Sequence, residues 1–163
     1  VFDEAIVAFL PQDGSWCAQD FPHMTLVAAG PVDDLSSSEQ DSFAKDAISA
    51  ARVMGGPFSL PVTGVEQLGI TEIVDALMLY PNPQLLVARS LMESWNRSEF
   101  KEFNPHATIG PAGSAFTQAI PFNDGVQDTV RYKRQVLPSQ LYFDRMAVCF
   151  GPNRLVFAFS SLY

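Results

Sequence analysis

Apolar residues run without a break from Ala5 to Leu10 and stop at Pro11, the pattern of a central strand. Pro11 to Asp20 is polar and holds Asp13-Gly14, a turn signal, so it reads as a loop. Met24-Thr25-Leu26-Val27 returns to β-branched and apolar residues, and Gly30-Pro31 closes this second strand. The period then becomes helical: Phe43, Ala47, Ile48, Ala51 and Met54 fall on one stripe that packs against a sheet. Asp34 or Ser36 to Ser38 caps the helix, Glu39 and Asp41 suit its first turn, and Gly55-Gly56-Pro57 stops it.

Phe58 to Leu68 reads as a strand with a turn or bulge near Thr63-Gly64, and Ile73 to Tyr80 as another, closed by Pro81. A second helix is expected from Pro83 through Trp95, with Leu85, Leu86, Ala88, Leu91, Met92 and Trp95 as its apolar positions. Thr108-Ile109 is again strand-like. Ala112 to Pro138 is long and polar, with Ser114 to Ile120 expected as a short helix. Leu141 to Phe150 and Leu155 to Phe159, around Gly151-Pro152-Asn153, read as a β-hairpin.

Two short runs stand out against this pattern. Phe21-Pro22-His23-Met24-Thr25-Leu26 is echoed by Phe103-Asn104-Pro105-His106-Ala107-Thr108-Ile109-Gly110. The chain has only two histidines; each follows a proline and each lies two residues before a threonine. Ala5 to Leu10 with Pro11 precedes the first run, and Ala76 to Tyr80 with Pro81 precedes the second, which suggests a duplicated half. On a strand, side chains two apart share a face, so each His and its Thr point the same way. Two such strands facing each other would gather two imidazoles and two hydroxyls in one small volume. That set suits a phosphate ester. The hydroxyls donate to non-bridging oxygens, one imidazole takes a proton from water and the other protonates the leaving oxygen. Both roles are open to imidazole near neutral pH without a metal. Which histidine takes which role is left open by the sequence.

Two His-x-Thr-hydrophobic motifs 83 positions apart in a chain of this size resemble the 2H phosphoesterases. That superfamily includes the LigT-like RNA 2′,3′-cyclic phosphodiesterases, also called 2′-5′ RNA ligases. The resemblance spans Ala5 to about Phe159. It implies an α+β, bilobal duplicated fold: two antiparallel sheets around a central cleft, helices on the outer faces, one motif per lobe. Residues 1–163 would then be one domain of two intertwined lobes, with motifs near 21–30 and 103–112. It implies no cofactor and no metal, catalysis by His23, Thr25, His106 and Thr108, and a 2′,3′-cyclic phosphate on a nucleotide or RNA end as substrate. Some bacteriophage members instead cleave cyclic oligonucleotide signals, and a non-catalytic binding or virion-structural module on the same fold is the rival from another class. Many members carry a basic residue soon after the second Thr, where this chain has Ile109-Gly110-Pro111-Ala112. An aromatic late in the fold often contacts the base. Tyr142 and Phe143 alternate faces, and Tyr142 is the candidate for substrate binding.

Composition narrows the partners. At 163 residues there is room for one core or two small lobes sharing one, and 47% hydrophobic against 17% charged residues describes a globular chain. Net charge is −8, which argues against broad binding of duplex DNA and leaves a small nucleotide or a single RNA end. No apolar run reaches the roughly 20 residues of a membrane span. Cys17 and Cys149 lack metal-ligand spacing and are expected as buried free thiols in a reducing cytoplasm, a host's if the chain is of phage origin. Cys17 also lacks the surroundings of a nucleophile. Arg131-Tyr132-Lys133-Arg134 is the densest positive cluster, either an anion-binding rim or a solvated surface strand.

Overall fold

The first apolar run becomes strand β1 (Glu4–Pro11), and the first motif strand becomes β2 (Met24–Pro31). Helix α1 (Ser37–Val53) follows. In this computed structural model the structure describes residues 3–98, 102–118, 122–123, 128–129, 132–134 and 137–162, with 116–134 described by backbone alone. Ser36 caps α1 through a reciprocal box. Its Oγ accepts from the Glu39 amide and a Glu39 carboxylate oxygen accepts from the Ser36 amide, both at 3.2 Å. Strands β3 (Phe58–Leu68) and β4 (Val74–Leu79) come next, with a register shift between Val62 and Gly64 where a bulge was expected. Helix α2 (Pro83–Leu91) starts at Asn82, whose Oδ1 accepts from the Leu85 amide at 2.7 Å, and a 3₁₀ turn over Glu93–Trp95 extends it. The second motif strand is β5 (His106–Pro111). Short strands β6 (Phe116–Gln118) and β9 (Tyr132–Arg134) pair with each other, as do β7 (Phe122–Asn123) and β8 (Asp128–Thr129). The chain closes with the hairpin β10 (Gln140–Phe150) and β11 (Asn153–Ala158).

The architecture is α+β with antiparallel pairing throughout, as expected, and seven of the strands form one large sheet beside the two small pairs. Its order is β1-β2-β5-β4-β3-β10-β11, with β1 also paired to β10. Strand β10 is long enough to serve several partners. Its first residues, Gln140 to Phe143, pair with β3, while the rest runs beside β1 and β11. Phe9, Phe58 and Phe143 meet at that junction: Phe58 lies edge-on to Phe9 and stacked on Phe143, each with ring centroids 5.2 Å apart.

One face of the sheet is the main core. Phe43, Ala47, Ala50 and Ala51 of α1 pack there with Val7, Phe9, Met24, Leu26, Leu77, Ala107 and Ile109. The opposite face holds a smaller apolar patch of Ile6, Ala8, Leu10, Ala147 and Cys149, with Phe21 and Ala28 against it. Helix α2 departs from its expected stripe. Leu85, Ala88 and Met92 are buried, but Leu86 and Leu91 are about half exposed and Arg89 is buried in their place. Its guanidinium donates to the Leu26 carbonyl at 2.5 Å and to Glu93, so the charge is not stranded. Among the described residues no helix is long and apolar enough to cross a membrane.

Ser114 to Gln118 is not helical. Residues 112–115 form a turn and Phe116–Gln118 is β6, while Ala119 and Ile120 lie outside the described residues. Asp75, buried on β4, explains the turn. Its Oδ2 accepts from the amides of Gly113 at 3.0 Å and Ala115 at 2.9 Å, taking donors that a helix would have left to water. Asp75→Ala strips these amides of their acceptor and is expected to cost about 2–3 kcal/mol, read from the urea midpoint. Asp75→Asn keeps one acceptor oxygen and should cost less. Of the basic cluster, Arg131 lies outside the described residues, and Tyr132 to Arg134 are seen only as the backbone of β9.

Candidate functional site

The two motif strands meet at a single pair, Met24 opposite Ala107, in antiparallel register. Both of these side chains are fully buried in the main core. Their neighbours therefore turn to the other face, away from α1. Extending the register by one residue each way sets His23 across from Thr108 and Thr25 across from His106. All four are half-buried. The two motifs are thus neighbours through that one pair, and His106 stands near enough to His23 to act on its titration.

The repetition extends to the supports. His23 Nδ1 lies 2.7 Å from the Phe21 carbonyl oxygen and His106 Nδ1 lies 2.8 Å from that of Asn104, in each case two residues upstream. A carbonyl only accepts, so Nδ1 carries the proton in both rings and Nε2 is left to exchange protons. Thr25 sits opposite Ala8 on β1, and Thr108 opposite Ala76 on β4, each at a register shift. Both alanines are fully buried, and a methyl group at these places leaves room beside each hydroxyl.

Why only one pair joins the strands follows from how their remaining edges are satisfied. Beyond Met24, Arg89 donates to the Leu26 carbonyl and the Arg97 amide donates to the Ala28 carbonyl at 2.9 Å. Beyond Ala107, the Ala18 amide donates to the Ile109 carbonyl at 2.7 Å, and the Cys17 thiol lies 3.4 Å from the Thr108 carbonyl. Each motif strand is thus held by the segment that leads into the other motif. Gly110, two residues after the second Thr, sits in a close approach of the chain. A Cβ there would lie 2.7 Å from Ser114 Oγ and 3.1 Å from the Ala18 Cβ.

The two histidines differ in their surroundings. Phe21 stacks on His23 with ring centroids 4.9 Å apart, and the Arg154 guanidinium of β11 sits 3.9 Å from the Phe21 centroid. Burial pushes the His23 pKa below its ordinary value, and the charges of His106 and Arg154 add to this, against the Phe21 carbonyl, which raises it. A histidine depressed in this way is neutral near pH 7. Its contribution to stability is complete above the ordinary imidazole value of about 6.5 and is lost as pH falls through the folded value. Arg154→Gln removes one repelling charge, so the His23 ring protons should titrate at higher pH by NMR. An unchanged or lowered midpoint contradicts the contact. Thr25 and His106, but not His23 or Thr108, line a cavity of about 760 Å³. Tyr142 lies on β10 opposite Ser59 of β3, 43% exposed. It alternates with buried Leu141 and Phe143 and so faces the motif side of the sheet, but it does not line that cavity. Both cysteines are free; Cys149 is buried and Cys17 partly so, and burial raises both thiol pKa values.

No protein-family model matches the sequence, and no curated protein matches it. Solved structures do. E. coli LigT in complex with NADP+ superposes with a TM-score of 0.54 at 15% identity, over 97% of this chain and 95% of LigT. A structure described as a phosphoesterase gives 0.52 at 14% identity, over 96% and 95%. Kluyveromyces marxianus Usb1 gives 0.51 at 8% identity, over 95% and 97%. The chain shares its fold with these three structures.

On this fold, sequence reasoning missed Arg89, Asp75, Phe21 and Arg154. Phe21 carried a signal, because it stands inside the motif text itself. The other three carried none: a lone Arg or Asp on an amphipathic element reads as surface until its partner is known.

Proposed function

We propose that this protein is a metal-independent phosphodiesterase that opens a 2′,3′-cyclic phosphate on a nucleotide or RNA end. The observation that carries the reading is the antiparallel meeting of the two His-x-Thr runs at Met24 and Ala107. With Met24 and Ala107 buried on the α1 side, it supports a site in which two Nδ1-anchored imidazoles and two hydroxyls share the other face. One Nε2 takes a proton from water as its oxygen attacks phosphorus; the other gives a proton to the ribose oxygen as its bond to phosphorus breaks. The products are a phosphomonoester and a free hydroxyl. The imidazoles end with their protonation states exchanged and reset through solvent. Thr25 and Thr108 hold the non-bridging oxygens, whose charge grows in the transition state. Arg154 lends positive charge near His23, where the sequence after Thr108 supplies none.

The test is turnover in EDTA on 2′,3′-cyclic nucleotides, RNA with a cyclic-phosphate end, and cyclic oligonucleotides. Ring opening of the first two is expected. Turnover of cyclic oligonucleotides alone would move the substrate and keep the chemistry. A chelator-sensitive activity, or tight binding without turnover, would overturn the mechanism.

A further inference from the structure

Arg154 stands apart from the other arginine side chains that the structure describes. Arg52, Arg89, Arg97 and Arg145 each donate to a carbonyl or carboxylate oxygen. Among the described residues Arg154 makes no hydrogen bond and no ion pair, in a chain with 18 acidic side chains to offer one. An aromatic ring holds it instead: the guanidinium lies 3.9 Å from the centroid of Phe21, which is stacked on His23. A π-face attracts the cation and leaves its N–H donors free. Register puts Arg154 on the motif side of the sheet. It pairs with Cys149 of β10, which pairs with Ile6 of β1, and these two belong to the apolar patch opposite α1. Strand β11 is three strands from β2, about 14 Å at the usual spacing, and the guanidinium reaches back across that gap to the first motif. The row across the sheet from Thr25 passes through Ala8 and Ala147, both fully buried, so the floor between the motif and β11 is low. The charge of Arg154 is felt at His23, whose pKa is lowered first by burial and further by His106 and Arg154.

We propose that Arg154 is a specificity-determining contact for a second phosphate of the substrate, the one on the 5′-oxygen of the nucleotide whose 2′,3′-cyclic phosphate is opened. The inference rests on the phosphodiesterase reading above and narrows its substrate class. A nucleotide phosphorylated at its 5′-oxygen, alone or as the end of an RNA, is preferred to a nucleoside cyclic phosphate. The reacting phosphate is a diester with a single negative charge, and in that reading the threonine hydroxyls and the imidazoles already serve it. A guanidinium that enters from β11, held on Phe21, is left for another anion. Phosphate suits it, because two of its oxygens match the planar fork of guanidinium donors. The ribose of such a substrate has one other position for a phosphate, the 5′-oxygen. This contact does not touch the reacting atoms. It strengthens ground state and transition state alike, so its effect belongs in KM.

The experiment reads a ratio, so it does not depend on how each variant changes the absolute rate. kcat/KM is measured on adenosine 2′,3′-cyclic phosphate, on the same nucleotide with a 5′-phosphate, and on a dinucleotide that ends in a 2′,3′-cyclic phosphate. The wild type should favour a 5′-phosphorylated substrate over the first by about fivefold or more, through a lower KM. Arg154→Gln should bring the ratio close to one, and Arg154→Lys should restore part of it. Lys45→Gln removes the same charge from the exposed side of α1, across the sheet from the motifs, and should leave the ratio unchanged. A gain larger with the 5′-phosphate marks a free nucleotide as the source of the second phosphate, and one larger with the dinucleotide marks an RNA end; either supports the contact. Equal wild-type activity on all three, a preference that survives Arg154→Gln, or an equal loss in Lys45→Gln overturns the contact and leaves the phosphodiesterase reading standing. A wild type inactive on all three overturns the two together.

Discussion

Replacing either histidine with alanine is expected to lower kcat/KM for 2′,3′-cyclic nucleotide hydrolysis by about 10²–10⁴-fold, the usual worth of a positioned acid or base. The effect should fall mainly on kcat, because proton transfer belongs to the transition state and not to substrate binding. His23→Ala with His106→Ala together should cost less than the product of the two single losses, because acid and base act on one event. Both rings are only half-buried, and each gives up one hydrogen bond to an upstream carbonyl, so the variants should fold. Circular dichroism and the urea midpoint check that. A folded His106→Ala protein with full activity would remove one half of the site.

The second large effect is expected at the threonines. Thr25→Val and Thr108→Val keep the β-branched shape that suits β2 and β5 and delete only the hydroxyl. A hydrogen bond to a charged group is worth about 1.5–3 kcal/mol, which corresponds to roughly 10–150-fold in kcat/KM. Thr25→Ser and Thr108→Ser restore the donor and should recover most of the activity. If the hydroxyls bind the substrate's phosphate as tightly as the transition state, the loss appears in KM; if they tighten only as charge develops, it appears in kcat. Steady-state kinetics on the four variants decides between the two. Valine variants with unchanged kinetics would make the threonines part of the strand and nothing more.

Much of this was legible in the chain because it is local. Caps, bulge and strand limits depend on neighbours in sequence, so Ser36 among the cap candidates, the helix start at Pro83 and the irregularity near Gly64 were legible. The His-x-Thr text was legible for the same reason, since period two alone sends His and Thr to one face. What could not be read depends on distant partners. The division of β10 between β1 and β3 is set by where Phe9, Phe58 and Phe143 meet, and no periodicity encodes that meeting. Arg89 was passed over because the apolar count favoured Leu86 and Leu91, while the Leu26 carbonyl that accepts its guanidinium belongs to another element. Ser114 to Ile120 had a helical look until Asp75, on β4, claimed the amides of Gly113 and Ala115. Arg154 illustrates the same limit at the site. It stands in the last strand, and its ring partner Phe21 stands in the first motif.

The measurement that bears most directly on a paired acid and base is the pH dependence of kcat/KM for a 2′,3′-cyclic nucleotide, taken in EDTA. One imidazole must be neutral and the other protonated, so a bell-shaped profile is predicted. The histidine that acts as base sets the acidic limb, and the one that acts as acid sets the basic limb. A profile flat across the imidazole range, or activity that appears only when a metal is restored, would contradict the account.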